Sequence, residues 1–414
     1  MDRKNTLISY PTPSAETVLI SLNPKAGRSD PACRANALLD AVTRLGMKGE
    51  ISTDLEQIAS KANALFASGR LRAVVGVGGD GTAAELVNRT VPGVPITLLP
   101  AGTANLIARE FRLPQGTAAA AEMLRTGAAM TLDAGCARFS GGENGSNVSA
   151  DDFSDERLFL VLASAGIDAQ IVRILHSKRE KNAQTGEKRA GHIGYLSYIR
   201  PIFQAIFSYR YPRMSIDVDQ AAAEKSAAGP VRYDSVRWAF ICNMARYGFG
   251  AAPVVGCRPY DRTLDHCFFS RGGFWPSIFS VLCVQAGKAH RFFPGTKLGT
   301  GRTFTLKPAV AGDRIPFELD GDPAGFLPVT IQTVPARVTL VIPDAMARRL
   351  AQKESRHRQA LASSETACGV ETYQFHLSSY VDPALTPPDH EVVRGWSGKE
   401  SNIGSISSAQ TKSE

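Results

Sequence analysis

The apolar run Ala73–Val77 ends in Gly78-Gly79-Asp80-Gly81-Thr82, and this junction constrains the chain more than any other stretch. A short, continuously apolar run reads as a strand buried on both faces, the pattern of a parallel sheet. Beyond the turn, Ala83–Asn88 has helical character. Strand, glycine turn and helix together aim backbone N–H groups and a positive helix end at an anion. Three glycines let the backbone approach a bulky phosphate with no Cβ in the way. Asp80 stands alone among them. An acid beside phosphate repels it unless it holds Mg²⁺ or takes a proton from an attacking hydroxyl. The junction therefore points to phosphoryl transfer, although the same composition also makes an ordinary tight turn.

Two further apolar runs end in the same way. Val18–Leu22 leads into Asn23-Pro24-Lys25-Ala26-Gly27-Arg28, and Pro95–Leu99 into Pro100-Ala101-Gly102-Thr103-Ala104-Asn105. Open α/β sheets bind ligands at the carboxyl ends of their strands. The spacing predicts helices over Pro31–Leu45, Leu55–Ser68 with Asp54 as N-cap, and Gly116–Gly127. Alternation of strand and helix from Thr17 to Thr131 is the logic of a wound α/β sheet. From Met130 onward β-type runs dominate: Met130–Phe139, Arg157–Ala165, Met214–Asp219, Val236–Asn243, Thr303–Lys307, Arg314–Leu319, Val329–Val334 and Val338–Ile342. These predict a second, mainly β unit. Ser140–Glu156 and the centre of Asp217–Ser235 read as loops. After Lys353 the periodicity fades into Ser-, Thr- and Pro-rich sequence, so 353–414 is expected to be a disordered tail.

At 414 residues there is room for two domains, and 43% hydrophobic with 21% charged residues is a globular balance. The net charge of +8 favours anionic partners. No Lys/Arg run interleaved with aromatics is present, so nucleic acid is not an expected partner. Seven scattered cysteines with no C-x-x-C pair argue against a disulfide framework or zinc site and fit a reducing cytoplasm. Met1–Tyr10 has no apolar core of a signal peptide, and no run is long and apolar enough to span a membrane. Ile193–Met214 mixes aromatic and aliphatic residues with Arg200, Arg210 and Arg213. That pattern describes a core-facing helix or a segment lying on an anionic bilayer, with the core favoured. His176–Lys181 and Lys188-Arg189 read as a basic loop. Phe274–Ala286 is a second apolar candidate of the same kind, again with the core favoured.

The three blocks Asn23-Pro24…Gly27, Gly78–Thr82 and Pro100–Asn105 resemble, in order and spacing, those of the diacylglycerol kinase catalytic-domain family of lipid kinases, related to sphingosine and ceramide kinases. Weaker matches follow at Gly166–Ala169, at Asn243 with Gly248–Gly250, at Tyr260–Asp265 and at Leu319–Asp322. The resemblance covers roughly residues 16 to 343. It implies an N-terminal nucleotide-binding α/β domain over 16–131, a β-sandwich lipid-binding domain over 132–343, and an active site in the cleft between them. It implies ATP and Mg²⁺, a lipid hydroxyl as acceptor with diacylglycerol as the default, and peripheral contact of a cytoplasmic protein with an anionic membrane surface. A homodimer stays open. Asn23, Lys25, Gly27, Gly78, Gly79, Gly81, Thr82, Glu85, Thr103 and Asn105 are the implied ATP-binding residues. Asp80, Asp320 and Asp322 are the implied catalytic acids. Asp261 and Asp265 are the implied metal ligands.

The chain also departs from the family pattern. Ala84 and Leu106 replace polar residues, and Tyr260 and Arg262 replace an acid and a glycine. Asp322 stands where a glutamate is usual, one methylene shorter. Two other functions therefore remain in view. One is an NAD kinase-like enzyme, which shares Gly-Gly-Asp-Gly. The other is a degenerate kinase that binds lipid or nucleotide without turnover.

Overall fold

Strands of one parallel sheet carry the N-terminal half, and their order explains why the three turns meet. The computed structural model describes residues 7–12, 14–23, 30–139, 156–184, 204–219, 230–247, 252–285, 293 and 295–368. The strands are β1 (Ile8–Ser9), β2 (Thr17–Leu22), β3 (Lys48–Ser52), β4 (Leu71–Gly78), β5 (Pro95–Pro100), β6 (Ala128–Phe139), β7 (Glu156–Phe159), β8 (Leu162–Ala165), β9 (Met214–Asp219), β10 (Val231–Val236), β11 (Trp238–Cys242), β12 (Leu264–Phe269), β13 (Thr296–Gly301), β14 (Thr303–Pro308), β15 (Pro316–Leu319), β16 (Asp322–Phe326) and β17 (Val329–Ile342). The helices used below are α1 (Pro31–Arg44), α2 (Leu55–Ala67), α3 (Asp80–Arg89), α4 (Leu106–Glu110), α5 (Thr117–Thr126), α6 (Ile167–Gln184), α7 (Phe274–Gln285) and α8 (Asp344–Cys368).

In the N-terminal half β5, β4, β2 and β3 lie side by side and parallel. Alternate residues of each strand face opposite layers. Val18, Ile20, Val75 and Val77 pack on Ala35, Leu38 and Val42 of α1 and on Ala121 and Leu124 of α5. Leu19, Val74, Ile96 and Leu98 pack on Ile58 of α2 and on Leu86 and Val87 of α3. Each fully buried Val or Leu contributes roughly 1.5–3 kcal/mol by leaving water. Local signals set the helix starts: Asp30 and Asp54 accept amides of the first turns of α1 and α2, and Pro31 opens α1.

The second half is a sandwich. One layer is a six-stranded antiparallel sheet in the order β13-β12-β11-β8-β15-β16. The other layer contains β10, β9, β14, β17, β6 and β7, and it is continuous with the parallel sheet. Met214, Ile216 and Val218, with Phe304 and Ile331, face Ala163, Ile241, Phe268 and Phe317 in one core. The mixed α/β architecture expected from the sequence, with a β-rich second half, is thus present. β17 joins the two halves. Its whole length pairs with β6, while its other edge pairs first with β14 and then, parallel, with β5. The register shifts between Val334 and Val338, and Ala336 there has φ 53°. Asp133 of β6 pins this bulge by accepting the amides of Ala336 at 2.8 Å and Arg262 at 2.7 Å.

Several sequence expectations need correction. The tail does not begin at 353: α8 continues to Cys368, and only 369–414 lies outside the described residues. Helix formers such as Ala, Arg, Gln and Lys fill this stretch, and Ala347 and Ala351 are buried against the core, which anchors the helix. His176–Lys181 lies in α6 rather than in a loop. The centre of Asp217–Ser235, expected as a loop, lies outside the described residues at 220–229, and its ends belong to β9 and β10. Val329–Val334 and Val338–Ile342 are one bulged strand. Of Ile193–Met214, residues 193–203 lie outside the described residues, as do Lys188-Arg189. Phe274–Ala286 is helical as far as Gln285, but its Trp275 and Phe279 are exposed rather than core.

Candidate active site

The three sequence turns meet because their strands are neighbours. Leu22 pairs with Val77, and Gly78 pairs with Pro100, so Asn23, Gly78 and Ala101 emerge together at the carboxyl edge. Gly79 and Gly102 bring the second and third turns into backbone contact. A Cβ on Gly102 would lie 2.7 Å from the Gly79 Cα, so side chains are excluded there by backbone. Asn105 holds its own turn, accepting the Gly102 amide at 3.0 Å and donating to the Gly102 carbonyl at 2.9 Å. It does so with φ 48°, a left-handed conformation that Asn tolerates. Thr82 is buried, and Asn23 Nδ2 lies 3.5 Å from its hydroxyl. No side chain caps the N-terminus of α3 at Gly79. Thr103 is exposed at the mouth of the turn. Glu85 pairs with Arg89 one helical turn on. Lys25 and Gly27 lie outside the described residues.

Asp80 points inward. Its two oxygens accept the amides of Leu106 and Ile107, each at 2.9 Å. These are amides of the first turn of α4, which the helix itself leaves unpaired. Asp80 thereby ties the glycine turn to the third strand end. Burial pushes its carboxyl pKa up, and the Ile107 and Leu106 amides pull it partly back.

The second acidic centre lies at the β15–β16 hairpin. Leu319 pairs with Asp322, leaving Asp320-Gly321 as a two-residue loop with φ 51° and 88°. Two successive positive φ values are the signature of a type I′ turn, for which Asp-Gly is a favoured pair. Asp320 accepts three amides, from Leu160, Val161 and Leu162, at 2.8–3.0 Å. Its pKa is pushed up to about 6 by burial, against those donors, with the charge of Asp80 adding to the rise. Glu318 is wholly buried and accepts the Gly321 amide at 2.7 Å, which fixes the turn. Burial and the neighbouring Asp168 raise its pKa well above the usual range.

Asp322 differs from both clamping acids. Its side chain is 45% exposed. Its Oδ2 lies 3.8 Å from where a Cβ on Gly81 would stand, so it faces the glycine turn from the opposite half of the molecule. The Arg157 guanidinium is 3.8 Å from the same oxygen. Arg157 was not singled out in the sequence: it lies in a β-run outside every motif block, and no spacing marks it. Asn88 lies in α3. It binds both the amide and the carbonyl of Leu158, stitching α3 to β7.

Asp261 and Asp265 are each engaged by groups of the protein itself. Asp261 accepts from the amide and hydroxyl of Thr263 and lies 3.4 Å from Arg258. Asp265 is half-buried beside Cys257, with its pKa pushed up to about 6 by burial and by the charge of Asp261. Among the described residues no three metal-ligating side chains converge. The weaker motif residues are also staples: Asp168 accepts from Ser164 and Tyr247, and Asn243 donates to the carbonyls of Asp133 and Leu160.

With this geometry, comparison with known proteins is informative. Residues 17–137 match the family described as diacylglycerol kinase catalytic domain. That segment contains all three strand-end turns, and over it the chain is similar to the family that its motifs resemble. No curated protein sequence matches the chain. Among solved structures, a diacylglycerol kinase from Bacillus anthracis str. Sterne is similar at TM-score 0.50 and 15% identity, covering 80% of this chain and 98% of that one. That likeness is one of fold. An NAD kinase from Archaeoglobus fulgidus, in complex with ATP, has a TM-score of 0.40 at 14% identity over 81% of this chain and 97% of its own. Among the described residues no helix is long and apolar enough to cross a membrane.

Proposed function

We propose that the chain is a lipid kinase that moves the γ-phosphoryl group of ATP to a lipid hydroxyl, with diacylglycerol as acceptor and phosphatidic acid as product. The observation that carries this proposal is Asp322, an exposed carboxylate facing Gly81 of the glycine turn across the junction of the two halves. The uncapped start of α3 and the glycine backbone would hold the nucleotide phosphates. Asn23 and Thr103 would line the same edge. The acceptor oxygen attacks the γ-phosphorus, the bond to the β–γ bridging oxygen breaks, and ADP leaves. The hydroxyl proton passes to Asp322 as general base. Asp80 and Asp320 fix the two turns.

Mg²⁺ in such sites rests on one or two carboxylates and the substrate's own phosphates. Each Asp80 oxygen keeps a second lone pair beyond its amide, so Asp80 fits as the protein's contribution. The ion would offset the charge of the phosphates. Membrane contact and a cytoplasmic location belong to the same proposal.

The test is transfer from γ-labelled ATP to a panel of lipids in mixed micelles, with the wild-type chain, Asp322→Asn and Asp80→Asn. A labelled lipid that disappears in Asp322→Asn is expected. ATP binding without transfer to any lipid would point to a binding module. Transfer to NAD would point to an NAD kinase-like enzyme.

A further inference from the structure

The six-stranded sheet has two ends. Cys242, Asp265 and the Asp320–Asp322 turn lie at one, while Arg237 and Ser270 flank the Trp238–Phe269 pair at the other. At that second end Arg210, Arg237 and Arg271 line an open cavity of about 480 Å³, together with Tyr211 and Ser270. Arg237 donates to the Tyr211 carbonyl, and Ser277 bonds the Tyr211 hydroxyl at 2.9 Å, so the cavity wall is held in place. Among the described residues no carboxylate pairs with any of the three arginines.

An apolar face sits next to this cavity. Phe207, Trp275 and Phe279 are 70%, 76% and 52% exposed, and they are the three aromatics among the large exposed apolar side chains. Phe207 stacks on Phe274 at 4.5 Å, and Phe274 meets the edge of Trp275 at 5.0 Å. Trp275 and Phe279 are four residues apart on α7 and share a side of the helix. Scattered exposed apolar residues need no explanation, but adjacent exposed aromatics do.

We propose that this face docks on an anionic phospholipid bilayer, with the aromatics entering the interface and the arginines taking the phosphate of an anionic headgroup. Trp and Phe beside cationic residues are the composition of interfacial segments. Arginine is suited to phosphate because its planar fork binds two oxygens at once. Three cations with no acid opposite them are complementary to a negative surface. The proposal deepens the membrane contact of the proposed function by naming the surface that makes it, and it rests on that reading only for its setting, because its readout is binding. The surface is separated from the acid turn by the length of β11, roughly 17 Å at about 3.4 Å per residue.

The experiment is sedimentation of the full chain, without nucleotide, with vesicles of phosphatidylcholine alone and of phosphatidylcholine mixed with phosphatidylglycerol. Binding to the mixed vesicles is expected to exceed binding to the neutral ones by about tenfold or more. Arg210→Gln with Arg271→Gln should remove the preference, and Trp275→Ser with Phe279→Ser should weaken binding about tenfold. The Trp275 emission, assigned by difference from Trp275→Phe, should shift to the blue and be quenched by brominated acyl chains. Melting temperatures of the variants confirm folding, and a Trp275→Phe control keeps the aromatic. Equal binding by wild type and all variants, or no binding to either vesicle, overturns the proposal. So does stabilisation by inorganic phosphate without vesicle binding, which would assign the cavity to a soluble anion. A dimer that Trp275→Ser dissociates would assign the face to a second copy of the chain and overturn it too. Because the readout is binding, failure of phosphoryl transfer would leave this result untouched.

Discussion

The Asp80 turn and the Asp320–Asp322 turn use one device for two ends. In each, an acid beside glycine spends its oxygens on backbone amides of a neighbouring segment: two amides of α4 for Asp80, three of the β7–β8 connection for Asp320. The difference lies in what stands in front. The first turn presents backbone and an uncapped helix start, whereas the second presents Asp322, a partly exposed acid facing Gly81. Motif acids are therefore not interchangeable. Asp80 and Asp320 hold loops through backbone amides, whereas Asp322 leaves its carboxylate partly exposed beside Arg157.

The sharpest way to break this comparison is Asp322→Asn. The expected loss is about 10²–10⁴-fold in kcat, the range of a missing general base, with a melting temperature within experimental error of wild type. Activity retained in the lipid assay would remove Asp322 from the chemistry. Next comes Asp320→Ala, which leaves three amides without their acceptor. A loss of about 3–5 kcal/mol in urea unfolding is expected, larger than for Asp80→Ala with two amides. The reverse order would show that the two turns are not equivalent clamps.

A third prediction concerns pH. Burial pushes the Asp133 carboxyl up to about 6. Its folded pKa exceeds the unfolded value near 3.9, so the folded state binds more protons between them. The Asp133 contribution is then fully present below about pH 4 and falls as pH rises through about 6, by on the order of 2–3 kcal/mol. Buried His266, pushed down to about 4, acts in the opposite sense, losing stability as pH falls from about 6.5 to 4. The informative quantity is therefore the difference between wild-type and Asp133→Asn stability curves. Parallel curves between pH 4 and 6.5 would count against the shifted carboxyl. The smallest effect is expected for Asn88→Ala, about 1–2 kcal/mol in urea unfolding, because its lost bonds to Leu158 are exposed and water replaces part of them.

Much of the N-terminal half was legible in the sequence. Val18–Leu22, Ala73–Val77 and Pro95–Leu99 are short buried runs whose turns follow at once, so both the strands and their shared edge follow from local pattern. The direction of the Asp80 carboxylate was not legible, since its amide partners lie at Leu106 and Ile107, beyond a second strand. The pairing of β17 with β5 was hidden for the same reason: nothing local in Val338–Ile342 names Pro95 and Ile96 as neighbours. Arg157 meets Asp322 only through the sandwich. The helix beyond Lys353 was missed because Ser and Thr near the end of the chain drew attention from the Ala- and Arg-rich turns before them.

The course of β17 has a consequence for synthesis. The outer edge of β5 is made well before β17, the strand that covers it, since strands β6 to β16 lie between the two in the chain. Until residues 338–342 leave the ribosome, a nascent chain carries an unpaired parallel edge, the kind of surface on which other chains add. The three strand-end turns are then already made while their sheet still lacks this neighbour, so completion of the parallel sheet waits on a strand made long after β5.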